Sequence, residues 1–556
     1  MRRQRLLLFD TIILGVVGAL GAQLFMWVLH LAQSLFLTHL AGYTLPALGS
    51  GGNVTDQVIG SHWLWLIPVA TTLGGLISGL LVYSIAPEAE GHGTDTAVRA
   101  FHRSGGLIRA RVTPLKLVAS AITIGSGGSA GREGPTALFS AGVGSIYAGL
   151  FRRSDHERRL LVLVGMAAGL SAIFRSPIGT AIFAVEVLYG DMQFEAGALI
   201  YTMLGSIVAY AVNGYFVGWE PLFHVPTGLE VTNVSHYVWY VVLGLSGGVV
   251  GALLPNAFYG VRDAFHKIPI PAHVKPAIGG LGVGLIAMAL PQVLGGGYGW
   301  IQQAINGQLT LTLLGVLVFA KLIAFALTVS SGGSGGVFAP SLFVGAMLGG
   351  FLAQVFHQPP AAFAVIGMAA VFGSAARIPV ATLLMVTEMT GGYSLLVPAA
   401  LAVTLAFVIQ QRLSSSLKYP SLYEAQVPQP PDSPVHKMEH LRTALKMLEE
   451  RRSSIEAEKI EHVNLLTLLD SGIPIDLPDG KQLVTGILSA DSPCAGAPIK
   501  KACFIKESVD WEIVAIFRDH HLVLPHPDNV LEAEDQLLVL LPPECKKELK
   551  EHLQAV

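Results

Sequence analysis

A glutamate set in a glycine-rich run is the residue with the most chemistry to offer. Glu133 stands in Gly125-Ser-Gly-Gly-Ser-Ala-Gly-Arg-Glu-Gly-Pro135, which places a full charge pair and five glycines between apolar segments. Such a run is not a membrane-spanning helix, and irregular backbone at that depth is tolerated only where protein or a water-filled cavity covers it. The glycines allow close backbone approach, and Pro135 suits the first turn of a following helix. A helix start aims free N–H groups at an anion. A carboxylate tethered there competes with any anion those amides would bind. Intramembrane carboxylates are costly and mark function, whereas pairing with a cation or capping a helix is the plainer role.

The device recurs in Ser331-Gly-Gly-Ser-Gly-Gly-Val-Phe-Ala-Pro340. The likeness extends backwards, with Lys116-Leu-Val-Ala-Ser-Ala-Ile-Thr matching Lys321-Leu-Ile-Ala-Phe-Ala-Leu-Thr. It also extends forwards, from Arg175-Ser-Pro to Glu186 against Arg377-Ile-Pro to Glu388. This is an internal repeat. Two membrane halves, each with a glycine-broken helix at the matching place, point to a transport site near the midplane.

The elements that must position these residues are apolar. With 52% hydrophobic and 13% charged residues among 556, most of the chain belongs in a bilayer. Long apolar runs dominate from Leu6 to about Val408, whereas charges are frequent from about Pro428 onward. The net charge of -3 and the lack of a basic run give no case for nucleic acid. Cys494, Cys503 and Cys545 all fall in the tail without metal-ligand spacing, as reduced cytoplasmic thiols would. Met1-Arg-Arg-Gln-Arg opens a retained first helix rather than a signal peptide, and its arginines favour a cytoplasmic N-terminus.

Several apolar stretches, such as 114–124 and 379–390, fall short of the roughly 20 residues of a spanning helix, so broken helices are expected. The repeats cover about 61–217 and 236–411, with polar, turn-rich 218–235 between them. Proline-rich 424–435 reads as an extended linker ending a membrane domain of residues 1–423. A helical connector, 436–479, with an amphipathic helix from Met438 to Arg452, leads to a domain at 480–556. That domain shows strands near 483–488, 511–517, 521–524 and 536–541 and a closing helix from Pro542. The fold class is therefore an all-α polytopic membrane protein with two repeats of inverted topology, followed by a small cytoplasmic α+β domain.

Gly131-Arg-Glu-Gly-Pro135 and Gly336-Val-Phe-Ala-Pro340, at matching places in two repeats, resemble the CLC family of chloride channels and proton-coupled chloride antiporters. The resemblance covers about residues 10–425. It implies antiparallel halves, a homodimer with one anion pathway per subunit, a bacterial inner membrane, and bound chloride in place of a cofactor. It assigns Glu133 the role of gating glutamate. Backbone amides around Arg132, Glu133, Gly134, Phe338 and Ala339 would line the outer site, with Val337 and Phe338 serving a more central one. The family's pore tyrosine matches Tyr423, with Tyr419 and Tyr393 nearby. Lys116 matches a lysine near the pathway and Lys321 is its repeat mate, each an electrostatic attractor or a snorkelling anchor.

Two departures bear on mechanism. The family's early Gly-Ser-Gly-Ile-Pro motif aligns with Gly91-His-Gly-Thr-Asp95, so His92, followed by Gly93, replaces the serine that contacts the central anion. An imidazole donates a hydrogen bond when neutral and adds charge when protonated, which suits a pH-sensitive ligand. A histidine satisfied in the core, with backbone alone holding the anion, is the alternative. Val187 stands where the exchangers carry an inner proton glutamate, so that route is missing, as in passive members. A Glu-gated, pH-sensitive chloride channel is the reading, with an antiporter using another inner route as the alternative. Glu186 and Glu388 read as buried structural carboxylates that require partners, helix termini being the candidates.

Residues 480–556 resemble the TrkA-C regulatory domain, which implies a regulatory tail and, in some members, a ligand such as a cyclic dinucleotide. No glycine-rich dinucleotide turn precedes it. No Thr-Val-Gly-Tyr-Gly cation filter is present. The loop lacks the Gly-Lys-Ser/Thr ending of a phosphate-binding loop. Ser126 and Ser129 without a paired base leave an intramembrane enzyme the weakest class.

Overall fold

The computed structural model describes residues 2–60, 64–226, 235–430 and 433–435 of the membrane unit. In the tail it describes 475–476, 481–489, 492–499, 511–518, 521–523, 525–527, 529–542 and 553–554. The helix expected over 438–452 and most of the closing helix lie outside these residues. The chain divides into two compact units, Met1–His436 and Lys437–Val556.

Among the described residues, the first unit contains two series of eight α-helices. The first comprises α1 (Arg2–Gln33), α2 (Ile67–Ile85), α3 (Thr94–Arg103), α4 (Val112–Gly125), α5 (Glu133–Leu150), α6 (Asp155–Phe174), α7 (Pro177–Glu186) and α8 (Ala196–Val217). The second comprises α9 (Ser235–Lys267), α10 (Lys275–Ala289), α11 (Tyr298–Ile305), α12 (Leu311–Ser330), α13 (Phe338–Val355), α14 (Pro360–Ala375), α15 (Pro379–Thr390) and α16 (Leu396–Ser414). α1 and α9 are 32 and 33 residues long, and α1 packs on α8 as α9 packs on α16. The first series therefore begins with α1, earlier than the expected 61, and Gly15-Val-Val-Gly-Ala-Leu20 of α1 recurs as Gly248-Val-Val-Gly-Ala-Leu253 of α9.

Each break in a helix has a local cause, and the cause repeats. α4 and α12 are followed by turns in which Gly127 and Gly332 hold φ of 104° and 101°, where a side chain would be strained. Arg175 and Arg377 end α6 and α14 in the left-handed region, with φ of 55° and 57°. Pro177 and Pro379 then open α7 and α15, where a missing amide hydrogen costs nothing. The two glycine-rich loops pair antiparallel, Gly131 N–H donating to the Gly336 carbonyl at 2.8 Å and Gly336 N–H to the Gly131 carbonyl at 2.7 Å. Local two-fold pairing of this kind brings the starts of α5 and α13 together.

Eight helices among the described residues are long and apolar enough to cross a membrane, and α4, α7, α14 and α15 are shorter apolar helices. Large apolar side chains cover their outer faces, including Trp27, Ile200 and Phe319, each at least 65% exposed. Such faces require lipid or protein cover. α6 and α14 are instead buried almost all round and form the centre of the unit.

In the second unit, the strands Ile475–Asp476, Gln482–Leu488, Glu512–Arg518, His521–Val523, Gln536–Leu541 and Leu553–Gln554 form one antiparallel sheet. The third of these runs beside the fifth, which runs beside the second. Val484, Ile516, Leu537 and Val539 form its buried face.

Candidate anion site

Glu133 opens α5 and its carboxylate reaches across to α13. Oε1 accepts hydrogen bonds from the Phe338 N–H at 2.6 Å and the Ala339 N–H at 3.2 Å, while buried Oε2 has no protein partner. Phe338 is the repeat mate of Glu133, so the carboxylate of one half occupies the amides of the equivalent place in the other. A Cβ at Gly131 or Gly336 would collide with this carboxylate, which explains the glycines on both sides. The Phe338 ring is fixed between Phe174 and Phe372, with centroids 4.6 and 4.4 Å away. Those amides are a ready anion site, and Glu133 fills it as an anion would.

His92 and Gly93 reach the same place from the start of α3. Gly93 has φ of 86°, and a Cβ there would stand 2.7 Å from the Gly134 carbonyl oxygen. Gly134 in turn leaves room for the His92 carbonyl. The His92 ring lies 5.4 Å from the Tyr423 ring and 6.4 Å from that of Phe258. Its Nε2 is 3.6 Å from Asp95 Oδ2, and its buried Nδ1 has no protein partner. Asp95 also accepts a hydrogen bond from the Ala425 N–H at 3.2 Å.

Of the three nearby tyrosines, Tyr423 is the one beside His92, and it is buried. Tyr419 donates its hydroxyl to Asp263 at 2.8 Å, and Tyr393 is 64% exposed. The side chain of Arg132 turns away, its guanidinium 4.3 Å above the Tyr298 ring and its Nη1 3.4 Å from Met26 Sδ. Val337 is buried at the residue before α13 and accepts from the Ser341 hydroxyl through its carbonyl. A cavity of about 560 Å³ opens on His92, Gly93, Asp95, Arg99, Arg262 and Glu424. The next residue, Thr94, lines a narrower void with Glu133, Phe174, Phe183 and Phe338.

Val187 is fully buried and its N–H donates to the Phe183 carbonyl. The carboxylate before it is a cap: Glu186 accepts from the Ala381 N–H at 2.6 Å and the Val380 N–H at 3.2 Å, at the start of α15. Glu388 returns the arrangement at the start of α7, accepting from Gly179 N–H at 2.9 Å, Ile178 N–H at 3.1 Å and the Ser176 hydroxyl at 2.6 Å. Each carboxylate thus holds the helix of the opposite half.

The lysines correct an expectation. Neither snorkels, since both are fully buried. Lys116 Nζ donates to the Ala89 and Gly91 carbonyls at 2.9 and 2.6 Å, and Lys321 Nζ donates to those of Val293 and Gly295 at 2.8 and 2.7 Å. Lys116 therefore fixes the loop that presents His92, and Lys321 fixes its counterpart. Ser126 and Ser129 also have structural places: the Ser126 hydroxyl donates to the Thr123 carbonyl and the Ser129 N–H to the Thr328 hydroxyl. Asp95 is the residue sequence reasoning missed, although its i,i+3 spacing from His92 at a helix start was a visible signal.

Residues 74–411 match the family model for the voltage gated chloride channel, and the chain belongs to that family of anion transport proteins. It is not an enzyme. It is 29% identical over 407 residues to the putative chloride channel protein ClcB-like of Ralstonia nicotianae, covering 71% of this chain and 92% of that one. It is 30% identical over 381 residues to the H(+)/Cl(-) exchange transporter ClcA of Salmonella agona, covering 66% and 80%. Among solved structures, a slow cyanobacterial Cl-/H+ antiporter superposes with a TM-score of 0.65 at 22% identity, over 74% of this chain and 96% of that one. A CLC-type fluoride/proton antiporter gives 0.64 at 23% identity, over 76% and 98%. These two share the fold.

Proposed function

We propose that this chain carries chloride or a similar small monovalent anion passively through a pathway gated by Glu133. The observation that carries this reading is the Glu133 carboxylate seated on the Phe338 and Ala339 amides. Protonation or displacement of that carboxylate frees the amides for the anion, which His92, Tyr423 and the backbone at Gly93, Gly134 and Val337 then receive. Passive transport follows from Val187: a buried valine holds no proton, and its neighbour Glu186 is committed to capping α15. Reversal potentials in liposomes under a proton gradient test it. A potential set by the anion gradient alone is expected, and a gradient of protons that drives chloride uphill at fixed stoichiometry overturns it.

Proton exchange is the second reading, supported by similarity to the exchange transporter and by the titratable His92 and Asp95 at the wide cavity. The remaining assignments belong to the same proposal: a homodimer in a bacterial inner membrane, both termini cytoplasmic, and a TrkA-C-like tail that regulates, with a ligand such as a cyclic dinucleotide. Strand placement at 482–488, 512–518, 521–523 and 536–541 is compatible with that tail.

A further inference from the structure

His92 and Asp95 form a pair that the gate does not use. Nε2 faces the Asp95 carboxylate at 3.6 Å, so the tautomer that suits this neighbour carries its hydrogen on Nε2. Nδ1 then presents a lone pair, buried and without a protein partner. A lone pair repels an anion, whereas an N–H at the same atom binds one. The Asp95 carboxylate adds a negative charge behind the ring. An anion between His92 and Tyr423 is thus poorly served until a proton arrives.

The surrounding charges are largely committed elsewhere. Arg262 pairs with Glu424 through two hydrogen bonds of 2.5 and 2.8 Å, and Arg109 pairs with Glu88. Lys116 is tied to two carbonyls and Glu90 meets Tyr83. Arg99 on α3 faces both members of the pair, His266 and Tyr259 of α9 line the same cavity, and Glu133 and Tyr423 also lie around it. The cavity of about 560 Å³ reaches both His92 and Asp95, so water can deliver a proton.

We propose that His92 and Asp95 bind one proton together with the anion: Asp95 faces the Nε2–H as a counter-charge, and a proton from cavity water enters at Nδ1 and becomes the anion's donor. This rests on reading the chain as an anion pathway. Anion and proton binding are then reciprocally linked, each raising the affinity for the other.

The test is calorimetric titration of chloride into the purified full-length protein, in buffers of differing ionisation enthalpy, with the Glu133→Gln variant to remove the gate's own proton. Glu133→Gln is expected to take up a proton, approaching one per chloride, as chloride binds. Its chloride affinity is expected to fall by up to about tenfold per pH unit across the range in which that proton is taken up. Adding Asp95→Asn, which keeps an acceptor for the Ala425 N–H, should move that dependence to lower pH. Adding His92→Gln, or His92→Asn where the first is not recovered folded, should abolish proton uptake. Chloride binding without proton uptake in Glu133→Gln overturns the pair alone, as does uptake that persists without His92. Failure of every folded variant and the wild type to bind chloride overturns the anion pathway with it.

Discussion

At the residue scale, the proposed gate is the carboxylate of Glu133 seated on two amides of α13. Replacing Glu133 by Gln removes the charge that holds the side chain there. Charge-assisted hydrogen bonds contribute about 1.5–3 kcal/mol, so passive anion flux should rise by roughly tenfold or more and lose the part of its pH dependence that Glu133 supplies. In the wild type, protons neutralise the carboxylate and flux rises as pH falls; stopped-flow efflux from liposomes at stepped pH measures both. Val187→Glu places an acid where the valine breaks the inner route. Chloride-driven proton transport across the liposome membrane should appear in that variant and be absent in the wild type. Glu133 and Phe338 were legible in the sequence because two short motifs at matching places in the repeats supply the carboxylate and the amides it meets. Asp95 was not, because its importance depends on the ring of His92 turning toward it and on Ala425, distant in sequence, donating to its other oxygen.

At the element scale, the broken helices were legible as punctuation: glycines after α4 and α12, and prolines at the start of α7 and α15. Helix termini were legible as the kind of partner Glu186 and Glu388 need, but not which ones, since helix starts from the opposite half receive them. Substituting either by Ala leaves buried amides without acceptors, at about 1–3 kcal/mol for each orphaned group. Both variants should melt at lower temperature in detergent than wild type, followed by tryptophan fluorescence, and the double variant should lose more than either. Equal melting of single variants and wild type would mean that water replaces the carboxylates. The lysines teach the same lesson. Composition marks a cation in an apolar helix, but only the folded loops show carbonyls at 2.6–2.9 Å from both Nζ atoms.

At the scale of the whole molecule, the described part of the proline-rich segment after Tyr423 turns at 424–425, bends at 428–429 and is fastened to the membrane unit. Val427 N–H donates to the Leu188 carbonyl, Gly190 N–H to that of Val427, and the Ser433 hydroxyl meets His102 Nδ1 at 2.7 Å. Removal of residues 437–556 should therefore preserve anion flux and alter its regulation, whereas removal from residue 424 should abolish flux by freeing Tyr423; efflux assays on both truncations check this. The pairing of Glu133 with its own repeat mate has one more consequence. Two halves of common plan would give a pathway indifferent to direction, and the difference between an acid in one half and a phenyl ring in the other breaks that equivalence. Rectification is then written at these two positions, and exchanging them, Glu133→Phe with Phe338→Glu, should reverse the direction in which current passes more easily.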